Sequence, residues 1–230
     1  MQKENIELTI LMPCLNEEEN IADAIHAARN FLETNHVLGE ILIIDNGCTD
    51  RSPAIARSLN ARVIIEPNPG YGNAVRCGIR NASGTYTILS DCDTTYNLQD
   101  LTLILDELRK GYSLVIGNRF AGGIEKGAMP FSHRYLGVPF LSWLGRKCYN
   151  VDVTDFHCGL RGFNSSQAQK LNLKSEGMEF ATELIACFAK ASLPIAEVPA
   201  TLSVSKHPRH SHLHTIRDGF RHLIYMMSKH

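Results

Sequence analysis

Between residues 8 and 117, short apolar runs alternate with amphipathic stretches. The runs are too short for helices and carry many β-branched residues, so they read as strands. They are Leu8–Met12, Glu40–Asp45, Arg62–Glu66, Thr85–Ser90 and Tyr112–Gly117. The stretches between them predict helices over Glu17–Leu32, Arg51–Leu59, Gly72–Asn81 and Leu98–Lys110. Asn16 reads as the N-cap of the first, with acids in its first turn. The third is entered through the turn Pro67-Asn68-Pro69-Gly70. Strands that alternate with helices predict an α/β fold, with a mostly parallel central sheet and helices on both faces.

The chain has 230 residues, room for one large domain or two small ones. A formal net charge of −1 argues against general nucleic-acid binding, which needs a basic field. Seven cysteines, with no C-x-x-C, argue against a disulfide framework and for a reducing, cytosol-facing location. The N-terminal residues lack the apolar core of a signal peptide. The longest apolar cluster, Leu136 to Leu144, falls short of the roughly 18 residues of a membrane span.

The second half is less regular. Residues 120–135 are Gly-rich, end near His133 and Arg134, and read as a mobile loop over a site. Leu136 to Leu144 begins a helix. A turn around Asp152–Asp155, a short strand at Gly159–Phe163, a helix at Met178–Ala191 and a hairpin-like pair at Ile195–Val204 follow. A last helix, Thr215–Ser228, spaces Ile216, Phe220, Leu223, Ile224 and Met227 along one stripe, flanked by Arg217, Arg221 and His222. Such a helix either lies on a membrane surface or docks its stripe on the core. From Ala200 onward five Lys/Arg stand against Asp218 alone, which points to an anionic partner or to a solvated basic helix.

In open parallel sheets, ligands bind beyond the carboxyl ends of the strands. Polar clusters fall at those ends: Pro13-Cys14-Leu15-Asn16-Glu17, Asp45-Asn46-Gly47, Asp91-Cys92-Asp93 and Gly117-Asn118-Arg119. Asp91 and Asp93 supply two hard oxygen ligands for a divalent metal that keeps open positions for a diphosphate. Nucleotide binding follows. No G-x-G-x-x-G comes after the first strand and no P-loop is present, so neither a dinucleotide fold nor a P-loop enzyme is indicated.

Together these segments resemble family 2 glycosyltransferases, in particular the polyprenyl-phosphate (dolichyl-phosphate) hexose synthases. The matching stretches run in order: MPCLNEEENI (12–21), IIDNGCTDRS (43–52), EPNPGYGNAVRCGI (66–79), SDCDTTYN (90–97), VIGNRF (115–120), HRYLG (133–137), VTDFHCGLRGF (153–163) and the segment 176–199. The resemblance implies a GT-A type, Rossmann-like fold in one domain over 1–230. Residues 1–119 would bind the nucleotide sugar, 120–213 the acceptor, and 214–230 would form the amphipathic helix.

Carried over from the family, Pro13, Leu15, Asn16, Glu17 and Gly72 would line the nucleotide pocket. Ile44, Asp45 and Asn46 would hold base and ribose. Asp91, Cys92 and Asp93 would hold Mg²⁺ or Mn²⁺ and the donor diphosphate. Arg119 and Arg134 would meet the donor phosphates and the lipid phosphate, with Arg209 among further basic residues. Asp155 would orient a sugar hydroxyl or the acceptor, or cap a turn. Asn46 stands where the family has Asp, Leu15 where it has an aromatic, and Cys158-Gly159-Leu160-Arg161 where it has Ser-Gly-Phe-Arg. These departures bear on base and sugar and leave the reaction class alone.

The implied reaction is inverting transfer of a hexose from UDP-glucose or GDP-mannose to a polyprenyl or dolichyl phosphate, at the cytoplasmic face of a membrane. The alternatives are a family 2 transferase with a soluble or glycan acceptor, and a non-catalytic nucleotide-sugar-binding protein.

Overall fold

The computed structural model describes residues 6–205, 207 and 215–228. Arg209 lies outside them. Seven strands form a single sheet: β1 (Leu8–Cys14), β2 (Gly39–Asp45), β3 (Arg62–Ile65), β4 (Tyr86–Leu89), β5 (Leu114–Asn118), β6 (Arg161–Asn164) and β7 (Ile195–Pro199). Their spatial order is β3-β2-β1-β4-β6-β5-β7. The helices are α1 (Ile21–Thr34), α2 (Ser52–Ser58), α3 (Tyr71–Asn81), α4 (Thr102–Arg109), α5 (Arg119–Gly122), α6 (Val138–Tyr149), α7 (Ser165–Lys170), α8 (Phe180–Lys190) and α9 (Thr215–Ser228). A π-helical turn, His133–Gly137, runs straight into α6.

Leu8 through Met12 are buried without alternation, so β1 is covered on both faces, as a parallel strand between helices must be. α3 supplies part of that cover, with Gly78 so close that a Cβ there would meet the Leu11 side chain, while α1 packs its stripe of Ile21, Ile25, Ala28 and Leu32 toward β2 and α2. The expected fold class holds: β1 pairs in parallel with β2 and β4, β2 with β3, and β5 with β7.

β6 is the exception and it matters most for the site. It runs antiparallel between β4 and β5, and Arg161 at its start opposes Leu89 and Ile116 near their ends. The loop before β6 is therefore delivered to the carboxyl edge of the sheet. The chain leaves β1 toward β2 and β3, then returns to add β4 on β1's other side. That switch point, where crossover loops part, is where α/β sheets bind ligands.

Several expectations need correction. α1 starts at Ile21, because Asn16 adopts a left-handed backbone (φ 56°) and Glu17 opens a separate turn closed by Asn20 N–H to its carbonyl. Residues 120–135 contain α5 and the first part of the π-helical turn. No hairpin forms at 195–204: β7 joins the outer edge of β5, and the chain beyond it crosses toward Thr95, whose carbonyl accepts from Ser203 N–H at 2.9 Å. The short polar helix α7 has no apolar stripe; the Asn164 side chain caps it by accepting from Gln167 N–H.

Gly162 sits in β6 where α4 crosses close. A Cβ there would lie 2.3 Å from Ile104 Cγ2 and 2.9 Å from Leu108 Cδ1. Gly162→Val is expected to lower unfolding free energy by about 1–3 kcal/mol through overpacking. Urea denaturation should show a lower midpoint with an unchanged slope.

Candidate active site

The loops after β1 and β2 are laced together. Glu17 N–H donates to Ser52 Oγ at 2.8 Å, and Asn16 Oδ1 accepts from Thr49 N–H at 2.8 Å. Asp45 Oδ1 accepts from the Gly47 and Cys48 N–H groups, folding its own turn. Pro13 and Leu15 are partly exposed beside them at the sheet edge.

Three residues expected at the nucleotide hold the scaffold instead. Ile44 is completely buried in β2, since both faces of that strand are covered. Asn46 Nδ2 donates to the Glu66 and Asn68 carbonyls, and its Oδ1 accepts from Gly70 N–H at 2.8 Å. An amide can both donate and accept in this way, which a carboxylate could not. Gly72 N–H donates to Glu176 O at 2.9 Å, and a Cβ there would meet Ser175 O at 2.3 Å. Gly72 thus admits the 175–176 loop, which the buried Glu183 carboxylate pins by accepting from Lys174 and Ser175 N–H.

β4 ends at the carboxylate pair. Between them the Cys92 thiol is buried and donates to Pro13 O. Asp93 is fully buried and accepts at Oδ1 from Thr95 N–H (3.0 Å) and Thr95 Oγ1 (2.6 Å). Asp91 is partly exposed. Gly159 lies against it: a Cβ on Gly159 would come within 2.8 Å of Asp91 Oδ2. Tyr96 fixes that glycine by accepting its N–H at 3.0 Å. Burial, and then the charge of Asp91, push the Tyr71 hydroxyl well above its usual range. Ser205 closes the far side, donating to Asp93 O at 2.7 Å. Ser205 carried no local signal in the sequence, since its partner at Asp93 lies 112 residues away.

Arg119 starts α5 at the end of β5. Its Nε and Nη2 each donate to Asp155 at 2.7 Å, and its backbone N–H donates to the same carboxylate at 3.1 Å. Asp155 is fully buried and also accepts from His157 N–H. This bidentate pair raises the Arg119 guanidinium above its ordinary range, although burial alone would lower it. Arg161 is buried as well; it donates to the Cys158, Ala181 and Phe156 carbonyls and so shapes the loop that carries Gly159.

The π-helical turn brings His133 near Arg119. Burial first, then the charge of Arg119, hold the His133 imidazole below its usual value. Arg134 is partly exposed, with its guanidinium over the Tyr135 ring. Beyond this turn the helices expose large apolar side chains on one face while burying others, Tyr149 of α6 among them. α6 buries Ser142 and Gly145 and leaves Phe140 and Trp143 55% and 50% exposed. α9, which packs on α6, buries His222, Tyr225 and Met226 and turns Phe220, Ile224 and Met227 outward. Phe131, Tyr135 and Leu136 extend the apolar surface of α6. Leu136 to Trp143 is therefore not simply core. An open cavity of about 800 Å³ lies elsewhere, around Arg29, Glu40 and Arg62 at the amino-terminal ends of β2 and β3.

The family model of glycosyl transferase family 2 matches residues 9–171, which include Asp91, Asp93, Arg119, Arg134 and Asp155. The chain belongs to this family. Among family 2 relatives, the low-salt glycan biosynthesis hexosyltransferase Agl6 of Haloferax volcanii is 35% identical over 224 residues, covering 96% of this chain and 53% of its own. The chain thus spans about half the length of that relative. A dolichyl-phosphate hexose transferase of the same organism is 30% identical over 193 residues, covering 84% of this chain and 81% of its own. The GT-A fold is shared with glucosyl-3-phosphoglycerate synthase from Mycobacterium tuberculosis, solved with Mn²⁺ and UDP-glucose, at TM-score 0.76 and 20% identity, over 98% of this chain and 80% of that one. Among the described residues, no helix is long and apolar enough to cross a membrane.

His157 provides a titration test of this packing. Both its ring nitrogens are buried without hydrogen-bond partners, and its ring meets His222 edge-on at 4.4 Å. Burial, followed by the charges of His222, Arg161, Arg119 and His133, holds its imidazole well below 6.5. The unfolded chain then binds the proton more tightly, so stability is lost as pH falls from about 6.5 toward the folded value. His157→Gln is expected to flatten this loss, by at most about 1.4 kcal/mol per pH unit. Urea midpoints at pH 7.5 and 5.5 measure it.

Proposed function

We propose that this family 2 glycosyltransferase moves a hexose from a nucleotide diphosphate sugar to a polyprenyl phosphate at a membrane surface. The observation that carries the reading is the apolar surface that α6, α9 and the turn before α6 leave exposed. A soluble domain seldom leaves so many neighbouring aromatic and aliphatic side chains in water, and a larger exposed patch of this kind marks a protein or membrane contact. This one adjoins the turn that carries Arg134 and, near Arg119, His133. A long-chain lipid with an anionic head fits both features. The name of the Haloferax dolichyl-phosphate relative supports the same acceptor. In this reading one domain does the work: residues 1–119 take the donor, 120–213 the acceptor, and 214–230 lie on the cytoplasmic face of the membrane.

Asp91 and Asp93 would hold the metal. Asp91 borders a space that a single Cβ at Gly159 would fill, and with Asp93 two residues on it would suit a hard divalent ion, Mg²⁺ or Mn²⁺, whose other ligands would be diphosphate oxygens and water. When bound, such an ion offsets the charge that develops on the departing nucleoside diphosphate. Pro13, Leu15, Asn16, Glu17 and Asp45 would frame the nucleotide. Arg119 has Nε and Nη2 committed to Asp155, so Nη1 would address a phosphate while the pair fixes the plane of the guanidinium. Arg134, with Arg209, would receive the acceptor phosphate. That phosphate is already ionised near neutral pH, so Asp155 needs no role as base and serves to hold Arg119. In-line attack would invert the anomeric carbon.

A panel of UDP- and GDP-hexoses with a short polyprenyl phosphate tests the reading. Label should partition into organic solvent as an acid-labile lipid and should disappear with EDTA. Asp93→Ala is expected to lower turnover by at least about 100-fold, as loss of charge stabilisation does. Full activity in that variant, or product formed only on a soluble acceptor, would refute the assignment.

The membrane face has its own test. Phe140→Asp with Trp143→Asp should cut liposome co-sedimentation by roughly 10-fold or more. Stability should change by less than about 0.5 kcal/mol, because both side chains are half-exposed. Unchanged sedimentation of this folded double variant would remove α6 from the interface.

A further inference from the structure

One half-buried carboxylate beside the site, Glu197, has no role of its own in the proposed function. Glu197 lies in β7, opposite Ile116 of β5. Its Oε1 accepts from Thr154 N–H and from Asp155 N–H, each at 2.8 Å. Its Oε2 accepts from Thr154 Oγ1 at 2.8 Å and from Asn118 Nδ2 at 3.3 Å. The Asn118 amide also donates to Thr154 Oγ1 at 2.6 Å, while its Oδ1 caps α5 by accepting from Ala121 N–H. Arg119 follows Asn118 directly, and its guanidinium is clamped by Asp155. One carboxylate thus holds the residue before Arg119 and the backbone of the residue that pairs with it.

We propose that Glu197 is a positioning residue for the transfer: it closes a hydrogen-bonded ring, Asn118–Glu197–Thr154/Asp155–Arg119, that aims Arg119 at a substrate phosphate. The ring's chemistry demands a carboxylate. Four donors converge on Glu197, and only an ionised acid presents two acceptor oxygens to them. Glutamine could keep both backbone N–H bonds at Oε1, but its Nε2 would then face the Asn118 amide, donor against donor. Glu197 itself reaches no substrate. Its effect comes through the angle of Arg119, and displacing such a group by about 1 Å costs on the order of 100-fold in rate.

The inference rests on the proposed phosphate role of Arg119, so the test needs one readout independent of activity. The Nε–H resonance of Arg119, held by Asp155, supplies it. E197Q is expected to shift or broaden that resonance and to lower kcat about 10-fold or more, with donor KM changed less than about 3-fold. N118D, which opposes two carboxylates, should do the same. The swap N118D/E197Q restores donor to acceptor at unchanged net charge. It should return both the resonance and kcat to within about 3-fold of the parent, a coupling that independent sites do not show.

If E197Q does not fold, T154V removes one hydroxyl from the ring and should shift the same resonance, with kcat down about 3-fold. An unmoved resonance overturns the ring. So does a swap that recovers thermal stability but not kcat, since Glu197 would then be a strut alone. If the parent chain transfers no sugar but the resonance responds as stated, the proposed reaction falls and the ring stands.

Discussion

An arginine and an aspartate, both withdrawn from water, tie the carboxyl edge of the sheet together. Arg119 arrives from β5 and Asp155 from the loop ahead of β6, thirty-six positions apart in sequence. Removing two charges from water costs several kcal/mol per ion, which only close geometry and further hydrogen bonds offset. Here the geometry is bidentate, and the Arg119 backbone N–H joins the same carboxylate. Loss of either partner would strand a buried charge, at a cost of about 3–5 kcal/mol. The pair therefore fixes where the loop before β6 sits. That loop carries Gly159, and Gly159 bounds the space beside Asp91.

The order of strands and helices up to residue 118 was legible because apolar period and turn chemistry agree there. Ile10 through Met12 could only be a buried strand, and the carboxylates at 91 and 93 could only fall at its neighbour's end. What was not legible depended on distant partners. Asn46 looked like a ligand-binding residue until its amide met the Glu66, Asn68 and Gly70 backbone. Gly72, expected to line the nucleotide pocket, has its N–H bonded to Glu176, more than a hundred residues on. α7 escaped notice because a short polar helix capped by Asn164 has no apolar period to display.

Amphipathic period has a second blind spot, visible in α6 and α9. A hydrophobic stripe shows that a helix has two faces and leaves open which one meets the protein. Gly145 of α6 lies so close to Phe156 that a Cβ would stand 2.5 Å from its ring, so small residues set the docking face. In α9, the Thr182 hydroxyl meets His222 Nδ1 at 2.8 Å, a polar contact where an apolar one was expected. α6 buries Ser142, Gly145 and Tyr149 and α9 buries His222, Tyr225 and Met226, while Phe140, Trp143, Phe220, Ile224 and Met227 stay exposed on the other faces.

The reversed strand β6 sets an order of assembly. β4 and β5 follow one another in synthesis, yet they are not neighbours in the sheet. A gap of one strand, about 4.8 Å to either side, separates them until residues 161–164 emerge and enter. β7 must then cross to the far edge of β5 before the segment carrying Ser203 and Ser205 can reach the aspartate loop. The nascent chain can assemble β3, β2, β1 and β4 early, but the carboxyl edge around the aspartates is among the last parts to close. Such long-range pairing folds slowly, and during that delay the flanks of β4 and β5 stay open to mispairing with other chains.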